Sequence, residues 1–109
     1  GLIGIEFMIK LNDESTGIRQ DVLKEITNIA KKYNINKVVL FGSRARGDYK
    51  RTSDIDLAVE GGDIAGFALD VEEETTTLLQ YDIVDLGRAI QEELRKSIEK
   101  EGKIIYEKI

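Results

Sequence analysis

The chain has 109 residues, with 16 Lys and Arg against 21 Asp and Glu, and a formal net charge of -5. This length predicts one domain with no room for a separate substrate domain, so an acceptor must be small or bring its own binding surface. The acidic balance disfavours a mainly electrostatic grip on nucleic acid. Because the chain has no His and no Cys, imidazole and thiolate chemistry are excluded, and any metal must be a hard, oxygen-binding ion.

The N-terminal stretch Leu2–Ile9 is apolar but short. It contains Glu6 and has no basic leader, so it predicts neither a signal peptide nor a membrane span. We therefore expect a cytoplasmic protein that makes no membrane contact, with residues 1–17 as an N-terminal extension and residues 18–109 as the folded domain. The N-terminal stretch and the apolar edge at residues 104–105 can support association with a partner or with a second copy of the chain.

The first half of the domain predicts a helix, a strand, a short helical turn and a second strand. Apolar residues at helical spacing predict a helix over Ile18–Tyr33, and the continuous apolar run Lys37–Phe41 predicts a central strand. Ser43–Arg46 then forms a short helical turn that Gly47 closes. Asp54–Glu60 alternates between apolar and polar residues, which predicts a half-buried strand with its carboxylates on one face.

The second half predicts two further helix and strand pairs. Helical spacing resumes over Ile64–Leu79, and Asp82–Leu86 predicts a third strand. A last helix ends before Gly102, and Lys103–Glu107 predicts an edge strand. The expected fold class is therefore a mixed α/β (α+β) domain, in which helices pack against one small sheet.

Gly42 and Ser43 follow the predicted central strand directly. A glycine at the end of a buried strand lets backbone approach a phosphate closely, and a serine at the start of a helical turn offers a hydroxyl and an N–H group to an anion. Alone, the pair favours an ordinary strand-to-helix turn with Ser43 as the cap. No Gly-Lys-Ser/Thr follows, so it is not a P-loop.

Asp54 and Asp56 lie two residues apart on a predicted strand, so their side chains project to the same face. Two such carboxylates repel one another unless they share divalent ions, and without the neighbouring glycine-serine turn they suit a solvated strand face. A two-metal site normally requires a third carboxylate, for which Asp82 and Asp85 are candidates. We favour Asp82, because it interrupts an apolar strand where a charge is costly unless it binds a cation.

Arg44 and Arg46 flank the glycine-serine turn. Either guanidinium can neutralise the charge of a triphosphate or of departing pyrophosphate, and either can equally be plain surface charge. We expect the charged stretch Asp48–Arg51 to form a mobile loop at the mouth of the site.

Gly42-Ser43, ten residues and then Asp54-x-Asp56 resembles the signature of the DNA polymerase beta-like nucleotidyltransferase superfamily. The runs Gly42–Gly47 and Ser53–Leu57 resemble its minimal nucleotidyltransferase branch. The resemblance implies antiparallel strands that bear the aspartates, ATP bound through magnesium, and transfer of a nucleoside monophosphate with release of pyrophosphate.

The resemblance also implies a role for each matching residue. Asp54 and Asp56 would hold two Mg²⁺ ions, and Asp82 would complete the metal site and help to deprotonate the acceptor hydroxyl. Gly42 and Ser43 would hold the β and γ phosphates.

Proteins of this minimal type often pair with a small HEPN-domain ribonuclease as toxin and antitoxin. The resemblance therefore implies a protein adenylyltransferase that moves AMP from ATP onto a tyrosine of a HEPN toxin and so silences it. Two alternatives stay open: a nucleotidyltransferase for a small hydroxyl compound such as an aminoglycoside, and a non-catalytic antitoxin that only covers its partner.

Overall fold

The computed structural model describes residues 16–108 of the chain. In chain order, its helices and strands are α1 (Gln20–Lys32), β1 (Lys37–Phe41), α2 (Gly42–Arg46), β2 (Ile55–Glu60), α3 (Ile64–Glu74), β3 (Tyr81–Asp85), α4 (Glu92–Glu101) and β4 (Lys103–Glu107). The predicted mixed α+β class is confirmed. The apolar stretch Leu2–Ile9 lies outside the described residues.

The four strands form one sheet in the order β3-β2-β1-β4. β1 pairs antiparallel with both β2 and β4, whereas β2 and β3 run parallel. The expectation of antiparallel strands bearing the aspartates is therefore wrong for β2 and β3. Parallel neighbours need a long crossover, and α3 supplies it between these two strands.

The sheet is covered on both faces. Helices α1 and α3 pack on one face through the larger cluster of buried residues, which includes Leu23, Leu57 and Phe67. The other face packs on α4 through a smaller cluster built around Val39, Ala58 and Ile98. Since side chains alternate along a strand, β1 and β2 each feed both clusters.

Most element bounds follow the predicted ones, but α3 ends at Glu74, five residues before the predicted end at Leu79. The helix ends at a run of three threonines, Thr75–Thr77, whose hydrogen bonds are not the backbone bonds of a continuing helix. Thr75 donates from Oγ1 to the carbonyl of Val71, and the Thr76 N–H donates to Glu25 of α1. None of the helices within residues 16–108 is long and apolar enough to cross a membrane.

Candidate active site

Asp54, Asp56 and Asp82 lie at or next to the residues where β2 and β3 begin. In the parallel register Asp56 lies directly beside Asp82, and neighbouring strands in a sheet are about 4.7–4.9 Å apart. Asp54 is exposed and immediately precedes β2. Asp56 also pairs with Phe41 of β1, whose side chain belongs to the α4 cluster. The carboxylates of Asp56 and Asp82 therefore occupy one end of the α4 face of the sheet.

Asp56 is the electrostatic centre of this group. Burial raises the pKa of the Asp56 carboxyl above its ordinary value, and the negative charges of Asp82 and Asp54 raise it further. The positive charge of Arg46 acts in the opposite direction. A carboxylate that is partly desolvated beside two like charges favours a proton or a bound cation.

The glycine-serine turn lies against the same carboxylate. Gly42 is the first residue of α2 and has a φ of +75°. This backbone conformation is strained for any residue that has a side chain. A Cβ at Gly42 would also overlap Oδ2 of Asp56. Ser43 is half-buried as the second residue of α2. The backbone of the turn can therefore approach a ligand that Asp56 also reaches.

The register separates the two candidates for the third carboxylate. Asp82 is on the same face as Asp56, whereas Asp85 pairs with Val59 of the opposite cluster. Asp85 accepts a hydrogen bond from the N–H of Gly87 at 2.8 Å and lies 3.4 Å from Arg88, so its contacts belong to the turn after β3. Asp82 is exposed, so the expected cost of burying its charge does not apply. Its position in the ladder is the reason to favour it.

Arg46 lies beside the carboxylates, and its side chain is 42% exposed. It pairs with Asp48 and with Glu101 of α4, each at 3.2 Å. Because exposed ion pairs are weak, these two partners can yield the guanidinium to a more highly charged anion. Arg46 therefore remains a candidate phosphate contact.

Arg44 does not face this site. Its side chain is 1% exposed, and its guanidinium donates to backbone carbonyls on both sides of the turn. Helical geometry explains the difference from Arg46: two residues apart on α2, the two side chains point in different directions. The expectation that Arg44 contacts phosphates is not supported by its placement.

The family model described as "Polymerase beta, Nucleotidyltransferase" matches residues 24–109. The chain belongs to this nucleotidyltransferase family. The match covers the turn at Gly42 and all three carboxylates.

Known proteins similar to this nucleotidyltransferase include an adenylyltransferase relative and toxin-antitoxin structures. The chain is 34% identical over 99 residues to "Putative protein adenylyltransferase MJ0604" of Methanocaldococcus jannaschii, covering 80% of this chain and 97% of the relative. It superposes with a TM-score of 0.61, at 27% identity, on a crystal structure described as a toxin-antitoxin with AMP-PNP. A mutant of the toxin-antitoxin MntA-HpeT gives a TM-score of 0.60 at 25% identity. Each of these two structural superpositions covers 78% of this chain and 73% of the other chain.

The chemistry of the donor set fits magnesium, because carboxylate oxygens are its preferred protein ligands. Asp54, Asp56 and Asp82 would supply such oxygens, and a divalent cation would relieve the electrostatic repulsion at Asp56. Within residues 16–108, no three acidic side chains lie close enough together to form a metal site. Phosphate oxygens of a substrate are further ligands that Mg²⁺ commonly takes.

Two features of the nucleotidyltransferase site were not foreseen from the sequence. Glu101, at the end of α4, holds Arg46 although 55 residues separate them. Arg44 bonds to carbonyl groups, which every residue carries, so no residue type signals its partners. The only available signal was that Arg44 follows Ser43 on a helical turn, with its side chain directed away from that of Arg46.

Proposed function

We propose that this nucleotidyltransferase is a Mg-ATP-dependent protein adenylyltransferase, an antitoxin that transfers AMP to a tyrosine of a partner HEPN toxin. The observation that carries the proposal is the register of Asp56 beside Asp82, with Gly42 packed against the Asp56 carboxylate. This arrangement places metal-binding oxygens next to backbone that can receive phosphates.

In the proposed reaction the acceptor hydroxyl oxygen attacks the α-phosphorus of ATP. The bond from that phosphorus to the oxygen that bridges the α and β phosphates breaks, and pyrophosphate leaves with that oxygen. Asp82 takes the hydroxyl proton, since it is exposed toward an incoming acceptor. When bound at Asp54, Asp56 and Asp82, two magnesium ions would supply charge neutralisation for the triphosphate and activation of the hydroxyl.

The remaining residues orient the triphosphate. Backbone N–H groups at Gly42 and Ser43 would bind the β and γ phosphates, where the helix dipole favours negative charge. Arg46 would exchange its partners, the exposed Asp48 and the half-buried Glu101, for phosphate oxygens. Positive charge beside the leaving pyrophosphate favours the bond-breaking step.

A protein acceptor is favoured by the known relatives. The Methanocaldococcus jannaschii relative, matched over 97% of its length, is named a protein adenylyltransferase. The two crystal structures reported above are described as toxin-antitoxin structures, one of them with AMP-PNP. These likenesses support a toxin partner for this chain.

The test is to incubate the chain with ATP, Mg²⁺ and the HEPN-domain protein encoded by the neighbouring gene, and to analyse the partner by mass spectrometry. We expect the mass of an AMP group on a tyrosine of the partner and none with the D54N/D56N double variant. Transfer to aminoglycosides but not to the protein would favour the small-acceptor alternative. Protection of cells by the D54N/D56N variant would favour an antitoxin that only covers its partner.

A further inference from the structure

Arg44 is among the most deeply buried large side chains of the described residues, and its guanidinium is committed to backbone carbonyls. Nη1 donates to Thr16 at 2.8 Å and Nε donates to Ser53 at 3.0 Å. Nη2 donates to Arg51 at 3.2 Å and more weakly to Lys50 at 3.5 Å. One side chain thereby joins α2 to Thr16 and to the segment that leads into β2.

That segment is the loop of residues 47–54, which we call the aspartate loop because it ends at Asp54. It contains a tight turn of its own: the Ser53 N–H donates to the Lys50 carbonyl at 3.0 Å, and the Lys50 N–H donates to Ser53 Oγ at 2.8 Å. Arg44 binds three carbonyls of this loop, and the last of them belongs to the residue before Asp54. The loop that we expected to be mobile is therefore held by the buried Arg44 side chain.

Further contacts enclose the guanidinium. The Tyr49 ring lies over it, with the Arg44 Cζ 4.9 Å from the ring centroid, which is a favourable cation–π distance. Gly17 has a φ of +71° and packs so closely that a Cβ there would overlap both the Tyr49 ring and Arg44 Nη1. The surroundings fit the planar guanidinium and leave little room for rearrangement.

The chemistry of this position requires arginine. A guanidinium has five N–H donors in a fixed plane, so it can reach several carbonyls in different directions, whereas a lysine ammonium is a compact charge on a flexible stem. Burial lowers the pKa of Arg44 from its ordinary value, which is the expected response of a desolvated cation. Fixed carbonyl dipoles offset that desolvation only while the loop keeps its conformation.

We propose that Arg44 is a positioning residue that fixes the aspartate loop and thereby holds Asp54 beside Asp56 for metal binding. The proposal rests on the proposed function for the role of Asp54, but the anchoring of the loop can be measured without any activity. Residues that orient metal ligands typically cost about 10–100-fold in metal affinity when they are changed.

The experiment compares the wild-type chain with R44K and with R51M as a matched control. Arg51 lies in the same loop and is exposed, so R51M removes a positive charge without removing a donor to the loop carbonyls. Hydrogen exchange at the amides of Ser53 and Ile55, measured without nucleotide, reports the loop. Mn²⁺ binding by electron paramagnetic resonance in the presence of ATP, with no acceptor, reports the metal site.

For R44K we expect exchange of the Ser53 amide at least about tenfold faster than in the wild type, and Mn²⁺ affinity lower by about 10–100-fold, with R51M unchanged. Should R44K fail to fold, S53A loosens the same loop by removing the Ser53 hydroxyl and is expected to act in the same direction. Wild-type exchange and wild-type Mn²⁺ affinity in a folded R44K would overturn the proposal. So would an equal loss of Mn²⁺ affinity in R51M, because a change in the loop that leaves every Arg44 hydrogen bond in place would then be enough to cause the effect.

The two readouts separate failure of this inference from failure of the proposed function. If the wild-type chain binds neither Mn²⁺ nor ATP, the proposed function is wrong, and the loop exchange rates alone then decide whether Arg44 anchors the loop. If the wild-type chain binds both but labels no protein, only the assignment of the acceptor fails.

Discussion

Gly42 and Asp56 pack against each other so closely that a Cβ on the glycine would occupy the position of an Asp56 carboxylate oxygen. Gly42 also has a φ of +75°, so two independent constraints require glycine there. The first residue of the turn and the central carboxylate of the site are thus fitted to one another. A side chain added at residue 42 must therefore displace the Asp56 carboxylate.

The G42A variant should therefore lose both stability and activity. Backbone strain of this kind costs about 1–3 kcal/mol, and a displacement of the Asp56 carboxylate by about 1 Å should lower kcat by about 100-fold. Urea unfolding and initial rates of AMP transfer measure the two effects.

G47A is the matched control, since Gly47 ends the same helix with a φ of +95° but a Cβ there meets nothing within 4 Å. It should lose stability through the same kind of backbone strain and keep its kcat. If G47A lost activity as G42A does, the contact with Asp56 would not be the cause.

The three carboxylates should be individually required for transfer. D54N, D56N and D82N each remove an oxygen ligand of the proposed metal site, which is worth several kcal/mol of transition-state stabilisation, so kcat/KM should fall about 1000-fold or more. D85N should stay within about threefold of the wild type, because Asp85 serves an exposed turn and ion pair. A D82N variant with full activity, or an inactive but folded D85N, would reverse the assignment of the third carboxylate.

The charge at Asp56 should reduce the stability of the metal-free protein at neutral pH. Its pKa is raised in the folded state from an ordinary value of 3.8, so the folded state binds the proton more tightly than the unfolded state. This contribution to stability is fully present below that ordinary value and is lost as the pH rises through the raised folded pKa.

Residue 56 cannot titrate in D56N, so this variant should be more stable than the wild type at pH 7, and its advantage should vanish near pH 3. Urea unfolding at the two pH values, after dialysis against a chelator, measures this difference. A D56N variant that is less stable than the wild type at pH 7 would show that repulsion at Asp56 is unimportant.

Arg46 should contribute to ATP binding. Loss of a charged hydrogen bond to phosphate costs about 1.5–3 kcal/mol, so R46M should raise the KM for ATP by about tenfold or more. R88M is the control, because Arg88 is an exposed arginine whose carboxylate partner is Asp85, outside the site. An unchanged KM in R46M would remove Arg46 from the phosphate contacts.

The sequence predicts most of the fold because its local signals agree with its packing. The runs Lys37–Phe41 and Lys103–Glu107 are strands with the predicted bounds, since each is an apolar run next to a glycine. Helical spacing continued past Glu74, but the side chain of Glu25 captures the backbone at Thr76, and a contact across 51 residues leaves no local pattern.

The candidate site divides in the same way. Asp54, Asp56 and the turn at Gly42 are close in sequence, and their residue types and spacing are enough to predict metal and phosphate binding. Asp82 lies beside Asp56 because β2 pairs in parallel with β3, and the hydrophobic periodicity of the sequence does not predict which strands pair. The role of Arg44 depends on carbonyl acceptors, which are common to all residues and therefore carry no sequence signal.

The most direct measurement follows the label from ATP when the chain, Mg²⁺ and the HEPN-domain partner are mixed. With ATP labelled on the α-phosphate, we predict that the partner becomes labelled; with ATP labelled on the γ-phosphate, the label should leave as pyrophosphate. D54N/D56N should transfer neither label. Transfer of the γ-phosphate label to the partner, or undiminished transfer by D54N/D56N, would contradict nucleotidyl transfer at these carboxylates.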